Sequence, residues 1–104
     1  MEFDFSRVDG FEWDLGNLTK NPQKHRIPNE EAEETFFRDP WVDDATRPGD
    51  PEPRWAALGQ SESGRLLRIV FTTRGRKLRV ISARPASKKE TADYEKALRE
   101  RNRD

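Results

Sequence analysis

Four short stretches of the chain carry side chains that can move protons or grip phosphate. Lys24-His25 joins a cation to a group that titrates near neutral pH. At a helix end the same pair would instead complement exposed carbonyls. Glu52-Pro53-Arg54-Trp55 sets a proton acceptor two positions from a guanidinium, although an exposed acid and base so placed contribute little as a mere ion pair. Thr72-Thr73-Arg74 and Ser82-Ala83-Arg84 each join hydroxyls to a guanidinium, the donor set for a bidentate hold on phosphate. Together these types suit metal-free RNA cleavage. That reaction needs a base for the 2′-hydroxyl, an acid for the leaving oxygen and cations for the charged transition state. Arg54, Arg74 and Arg84 are the expected phosphate and transition-state contacts, with Glu52 or His25 as the acid–base group and Lys24 assisting. Arg65, Arg68, Thr72, Arg76, Lys77 and Arg79 extend the expected RNA-binding surface.

Metal and cofactor chemistry finds little to work with. There is no cysteine and one histidine, which removes thiolate and multi-histidine sites. Asp43, Asp44 and Asp50 lie in a proline-rich stretch and read as solvated acids, because magnesium sites usually also draw on substrate phosphates. No cofactor is expected.

The charge explains why RNA is the polyanion considered. The 104 residues hold 20 basic and 20 acidic side chains. Residues 1–53 contain 14 acids and 6 bases, and residues 54–104 the reverse. From Arg65 to Lys89 there are nine bases and no acid. Such a segment attracts polyanions, unless the acidic half folds back on it as counter-charge.

Those residues need a scaffold, and the composition allows only a small one. Apolar residues make up 32% and charged residues 38%, so a single domain over 1–104 with a thin core is expected. Its core should span about 11–98, with a frayed tail at 99–104. No apolar run approaches a membrane span, and MEFDFSRVDG lacks the features of a signal peptide. A cytoplasmic location follows as the expectation.

Phe11 to Asp14 alternates like a short strand, and Asn17 to His25 reads as a short helix weakened by Pro22. A second helix starts at Pro28-Asn29-Glu30-Glu31 with Asn29 as its cap, buries Ala32 and Phe36, and ends near Arg38, ahead of Pro40. Arg38 to Pro53 reads as loop. Arg54–Gln60, Arg65–Thr73 and Leu78–Arg84 form an antiparallel meander. A symmetric second turn pairs Thr73 with Leu78 and Phe71 with Val80. Ile69, Phe71, Leu78 and Val80 then share one face with Arg84, which must be partnered or line a cleft. Leu66, Val70 and Ile81 share the other face with Arg68, Thr72 and Arg79. Ser87-Lys88-Lys89-Glu90 is a capping box that opens a last helix with the stripe Thr91, Tyr94, Ala97, Leu98. The class is α+β, an antiparallel meander with helices on one face and the other face partly open and basic.

These residues also resemble a known family. Phe11-Glu12-Trp13-Asp14, Lys24-His25, Glu30-Glu31-Ala32 with Phe36, and Asp39-Pro40 are similar to the first half of BrnT-type toxins. Arg54-Trp55 with Ala57-Leu58-Gly59, then Gly64-Arg65-Leu66-Leu67, Phe71-Thr72 with Arg74, and Ile81-Ser82-Ala83-Arg84 with Ala86 resemble the second half. Glu90 and Tyr94 match its closing helix. The resemblance covers about residues 11–95. It implies a RelE-like fold and a ribonuclease that stops translation. It also implies a DNA-binding antitoxin, BrnA or a similar protein, that neutralises the toxin, so that the toxin meets DNA only through that complex. Arg26, Pro28-Asn29 and Pro22 depart from the family pattern, and all lie near Lys24-His25 rather than in the sheet. A non-catalytic member that binds antitoxin or RNA without cleaving is the alternative, and a plain RNA-binding domain a third reading.

Overall fold

A computed structural model describes residues 3–14 and 27–101. The described elements are a 3₁₀ turn at Phe5–Arg7, β1 (Gly10–Phe11), α1 (Asn29–Phe36), β2 (Trp41–Asp44), β3 (Trp55–Gln60), β4 (Leu66–Arg74), β5 (Lys77–Pro85) and α2 (Lys88–Arg101). They build one five-stranded sheet in the order β1-β5-β4-β3-β2. The segment 17–25, read above as a helix, lies outside the described residues.

The meander forms where its apolar alternation and turns place it. β4 and β5 meet through Gly75 and Arg76, with Gly75 at φ +59°, a conformation that suits glycine in a tight hairpin. The pairings Thr73–Leu78 and Phe71–Val80 are as expected. Beyond them the register shifts. Val70 faces Ser82, so β5 carries one extra residue, Ile81, which is a β-bulge. The side chains after it therefore change sides. Ala83 joins Ile69 in the core, and Arg84 sits opposite Arg68 on the other face, not beside Phe71 as a regular ladder would place it.

Two strands complete the sheet. β2 pairs antiparallel with β3 and occupies part of the stretch read as loop. Pro40 precedes it and Pro48, Pro51 and Pro53 follow it, so none interrupts it. β1 runs parallel to β5 at the opposite edge, so the sheet is mixed rather than a pure meander.

The core lies on the α1 side. Leu67, Ile69, Phe71, Leu78, Val80, Ala57 and Ala83 are buried there with Ile27, Ala32 and Phe36. Phe71 is the hub, with Phe3, Phe5, Phe36 and Trp55 rings within 6.4 Å of its centroid. Gly59 lets α1 approach. A Cβ there would come within 2.8 Å of Thr35 Cγ2 and 3.0 Å of Pro40 Cβ. Asn29 is the first helical residue and Pro28 takes the cap position, with no side-chain cap bond. Proline's fixed φ serves the helix start here where an asparagine cap was expected. The chain leaves α1 through Asp39 at φ +53°.

α2 lies against the opposite face. Its capping box forms as read: Glu90 N–H donates to Ser87 Oγ at 3.2 Å and Ser87 N–H to Glu90 Oε1 at 2.9 Å. Glu90 also meets Arg68 and Arg84, and Tyr94 is buried beneath the helix. The sheet is therefore covered by a helix on each side, α2 covering its face only in part.

Candidate nucleic-acid interface

The partly covered face carries, in cross-strand register, Trp41, Leu58, Arg68 and Arg84, and next to them Asp43, Ala56, Val70 and Ser82. A groove crosses it between α2 and the loop 45–54. One hollow of about 340 Å³ is lined by Arg47, Arg54, Arg68, Val70, Ile81 and Ser82. A second, of about 390 Å³, shares Ala45, Arg47 and Arg68 and reaches Trp41, Leu58 and Asp93.

The loop wall is built by its own acids. Asp44 accepts from Thr46 N–H at 2.8 Å, and Asp50 from Arg47 N–H at 2.7 Å. Ala45 N–H donates to Arg54 C=O at 2.9 Å, and Arg54 N–H to Thr46 Oγ at 2.9 Å. Asp50 lies 3.7 Å from Arg54. The buried Nε of Arg54 finds no hydrogen-bond partner among the described residues. Such a group is costly to leave unsatisfied, and Arg54 lines the groove.

Most of the other expected cations are spoken for. Among the described residues, eight of the nine bases from Arg65 to Lys89 lie within ion-pair distance of a carboxylate. For five of them the partner comes from the acidic half: Glu31, Glu12, Glu52, Asp9 or Asp14. Arg65 grips Glu31, neither of which lines the groove, and that carboxylate also accepts from Ser61 at 2.7 Å. These bonds hold the Glu31 carboxyl below its ordinary range, Arg65 first. Arg74 reaches Glu12 at 3.4 Å and Glu52 at 3.8 Å, so Glu52 and Arg74 do come together, near the hairpin end. Arg79 holds Asp14 and Glu12. Arg76 and Lys77 share Asp9. Thr72 is buried and donates to Pro53 C=O at 2.8 Å. Arg84 donates to both oxygens of Glu90 at 2.8 Å each. With Ser87 this lowers the Glu90 carboxyl to about 2.

The structure thus gathers Arg54 and Arg68 in the groove, keeps Arg84 behind Glu90, and groups Glu52 with Arg74 and Arg79's partner Glu12. Lys24 and His25 lie outside the described residues. Arg47 belongs to the groove but to no motif; its sole signal is being the one base between Arg38 and Arg54. Among the described residues, no group of three or more His, Cys, Asp or Glu is arranged to hold a metal ion, and no helix is long and apolar enough to cross a membrane.

The comparisons agree with this architecture. The family model of the ribonuclease toxin BrnT of type II toxin–antitoxin systems matches residues 13–90. Among solved structures, the chain is similar to the 1.1 Å crystal structure of the Brucella abortus ribonuclease toxin BrnT. The TM-score is 0.55 at 23% identity, over 78% of this chain and 100% of that one. At that identity the likeness carries the fold. No curated protein matches the sequence.

Proposed function

The chain belongs to the BrnT family of ribonuclease toxins of type II toxin–antitoxin systems, and from that premise we propose that it cleaves RNA in the groove without a metal. The observation that carries this reading is the convergence of Arg47, Arg54, Arg68 and Ser82 on one open hollow. Guanidinium groups there offer paired donors to a phosphodiester and to its transition-state charge. The base that takes the 2′-hydroxyl proton comes from outside the groove's lining: our candidate is Glu52, two positions from Arg54 in sequence, which lies 3.8 Å from Arg74 near the hairpin end. The 2′-oxygen attacks the adjacent phosphorus, the bond to the 5′-oxygen breaks, and that oxygen takes up a proton. Arg74 holds Glu52, and Lys24 with His25 are the remaining acid–base candidates. The products carry 2′,3′-cyclic phosphate and 5′-hydroxyl ends.

Membership of the family implies an antitoxin partner. Our reading is that this partner is a DNA-binding, BrnA-like protein met in the cytoplasm, and that the chain reaches DNA only through it. A second reading, a member that binds antitoxin or RNA without cleaving, draws on the eight ion-paired bases. Incubating the purified protein with RNA, with and without EDTA, tests the proposal. Cleavage in both, with cyclic phosphate ends, is expected. Loss of cleavage in EDTA overturns the metal-free step, and no cleavage in either sample favours the second reading.

A further inference from the structure

Arg68 and Arg84 are direct cross-strand neighbours. Like charges so placed repel, and Glu90 relieves that repulsion by bridging them unequally. Arg84 spends both terminal nitrogens on Glu90, and one of them also on Pro85 C=O at 3.1 Å. Its fork is closed around a carboxylate as it would be around a phosphate. Arg68 is held at the other end of its guanidinium. Its Nε lies 3.1 Å from Glu90 Oε2. Its two terminal nitrogens make no hydrogen bond among the described residues, and the side chain lines both hollows of the groove. The capping bond from Ser87 N–H to Glu90 Oε1 fixes the carboxylate to the start of α2.

We infer that Arg84 and Glu90 are positioning residues that aim Arg68 into the groove, and that Arg68, not Arg84, meets the phosphate. This rests on the RNA reading of the groove. It also gives the first turn of α2 a task beyond capping, since the helix start sets the direction of a groove side chain.

The test titrates the full chain with a fluorescent 2′-O-methyl RNA oligonucleotide. That probe has no free 2′-hydroxyl, so the answer does not depend on cleavage, and a chain that binds without cutting counts against the proposed reaction alone. The double variant Arg84→Gln with Glu90→Gln leaves net charge unchanged, so it reports orientation rather than field. About tenfold weaker binding is expected, matching Arg68→Ala, with no further loss when Arg68→Ala is added. Unchanged affinity overturns the inference, as does an additive loss, which would place Arg84 itself on the phosphate. Tighter binding overturns it too, by showing that Glu90 competes with RNA for Arg68. A wild-type chain that does not bind the probe sinks both readings. If the double variant melts below the assay temperature, Arg84→Lys decides by the same additivity test, since it keeps the charge and loses only the fork.

Discussion

On the α1 side of the sheet, Leu67, Ile69, Phe71 and Val80 lose all contact with water. On the α2 side, the same strands present Arg68, Arg79 and Arg84, each held by a carboxylate. Alternation along β4 divides the labour. The first face supplies apolar burial, the main favourable contribution to folding. The second contributes little net stability, because partly exposed ion pairs gain little over water, yet it fixes guanidinium groups in direction. The second face is neutralised from both halves of the chain: Glu90 meets Arg68 and Arg84, and Glu12 and Asp14 of the acidic half meet Arg79.

Substitutions on the two faces should separate stability from activity. The largest effect is expected at Phe71. Phe71→Ala removes the hub of the aromatic cluster and should cost about 3–5 kcal/mol in a denaturant or thermal melt, enough to threaten folding. Arg54→Ala, on the other face, should leave the melting temperature within a few degrees and slow RNA cleavage about 100-fold. Equal losses of stability and rate would erase the distinction between the faces. Gly59→Ala should cost about 1–3 kcal/mol, because the added methyl presses on Thr35 and Pro40 beneath α1; a neutral result would mean that α1 shifts freely.

Acid should act on the ion-paired face. Glu90 has its carboxyl lowered to about 2, chiefly by Arg84. Its stabilisation is present above the ordinary carboxylate range and is lost as pH falls through about 2. Allowing for the water that reaches it, the loss is about 1–2 kcal/mol. Melts from about pH 5 downward should fall less steeply for Glu90→Gln than for wild type. The smallest effect is expected at Arg76, whose side chain is 68% exposed beside Asp9. Arg76→Ala should change stability by less than about 0.5 kcal/mol.

The meander, its hairpin turn, the Phe71 face and the α2 capping box were legible in the sequence, because each is set by local alternation or by residues three or four apart. β2 was not, since Trp41-Val42-Asp43-Asp44 is too short and too acidic to stand out between prolines. The bulge at Ile81 was not legible either. It appears only in the pairing of β5 with β4, and it moves Arg84 to the other face, which no pattern in Ile81-Ser82-Ala83-Arg84 announces. The acidic and basic halves were plain as composition, but their pairing, as in Arg65 with Glu31 or Arg79 with Asp14, joins residues more than 30 positions apart. Which arginines stay open is decided by partners near and far: Glu90, six positions from Arg84, and Asp50, four from Arg54, as well as Glu31 and Asp14. Motifs therefore marked Arg54 and Arg84 alike as phosphate contacts and passed over Arg47, whereas the structure lines the groove with Arg47 and Arg54 and pairs Arg84 with Glu90.

On the proposed function, RNA enters by the α2 face, between that helix and the loop 45–54. Backbone amide NMR shifts during titration with the 2′-O-methyl RNA oligonucleotide test it most directly. The shifts should concentrate at residues 45–54, at Arg68 and Val70, and at Ile81 and Ser82, while α1 and the Phe5–Arg7 turn stay unmoved. Shifts confined to the α1 side, or none at saturating oligonucleotide, would contradict it.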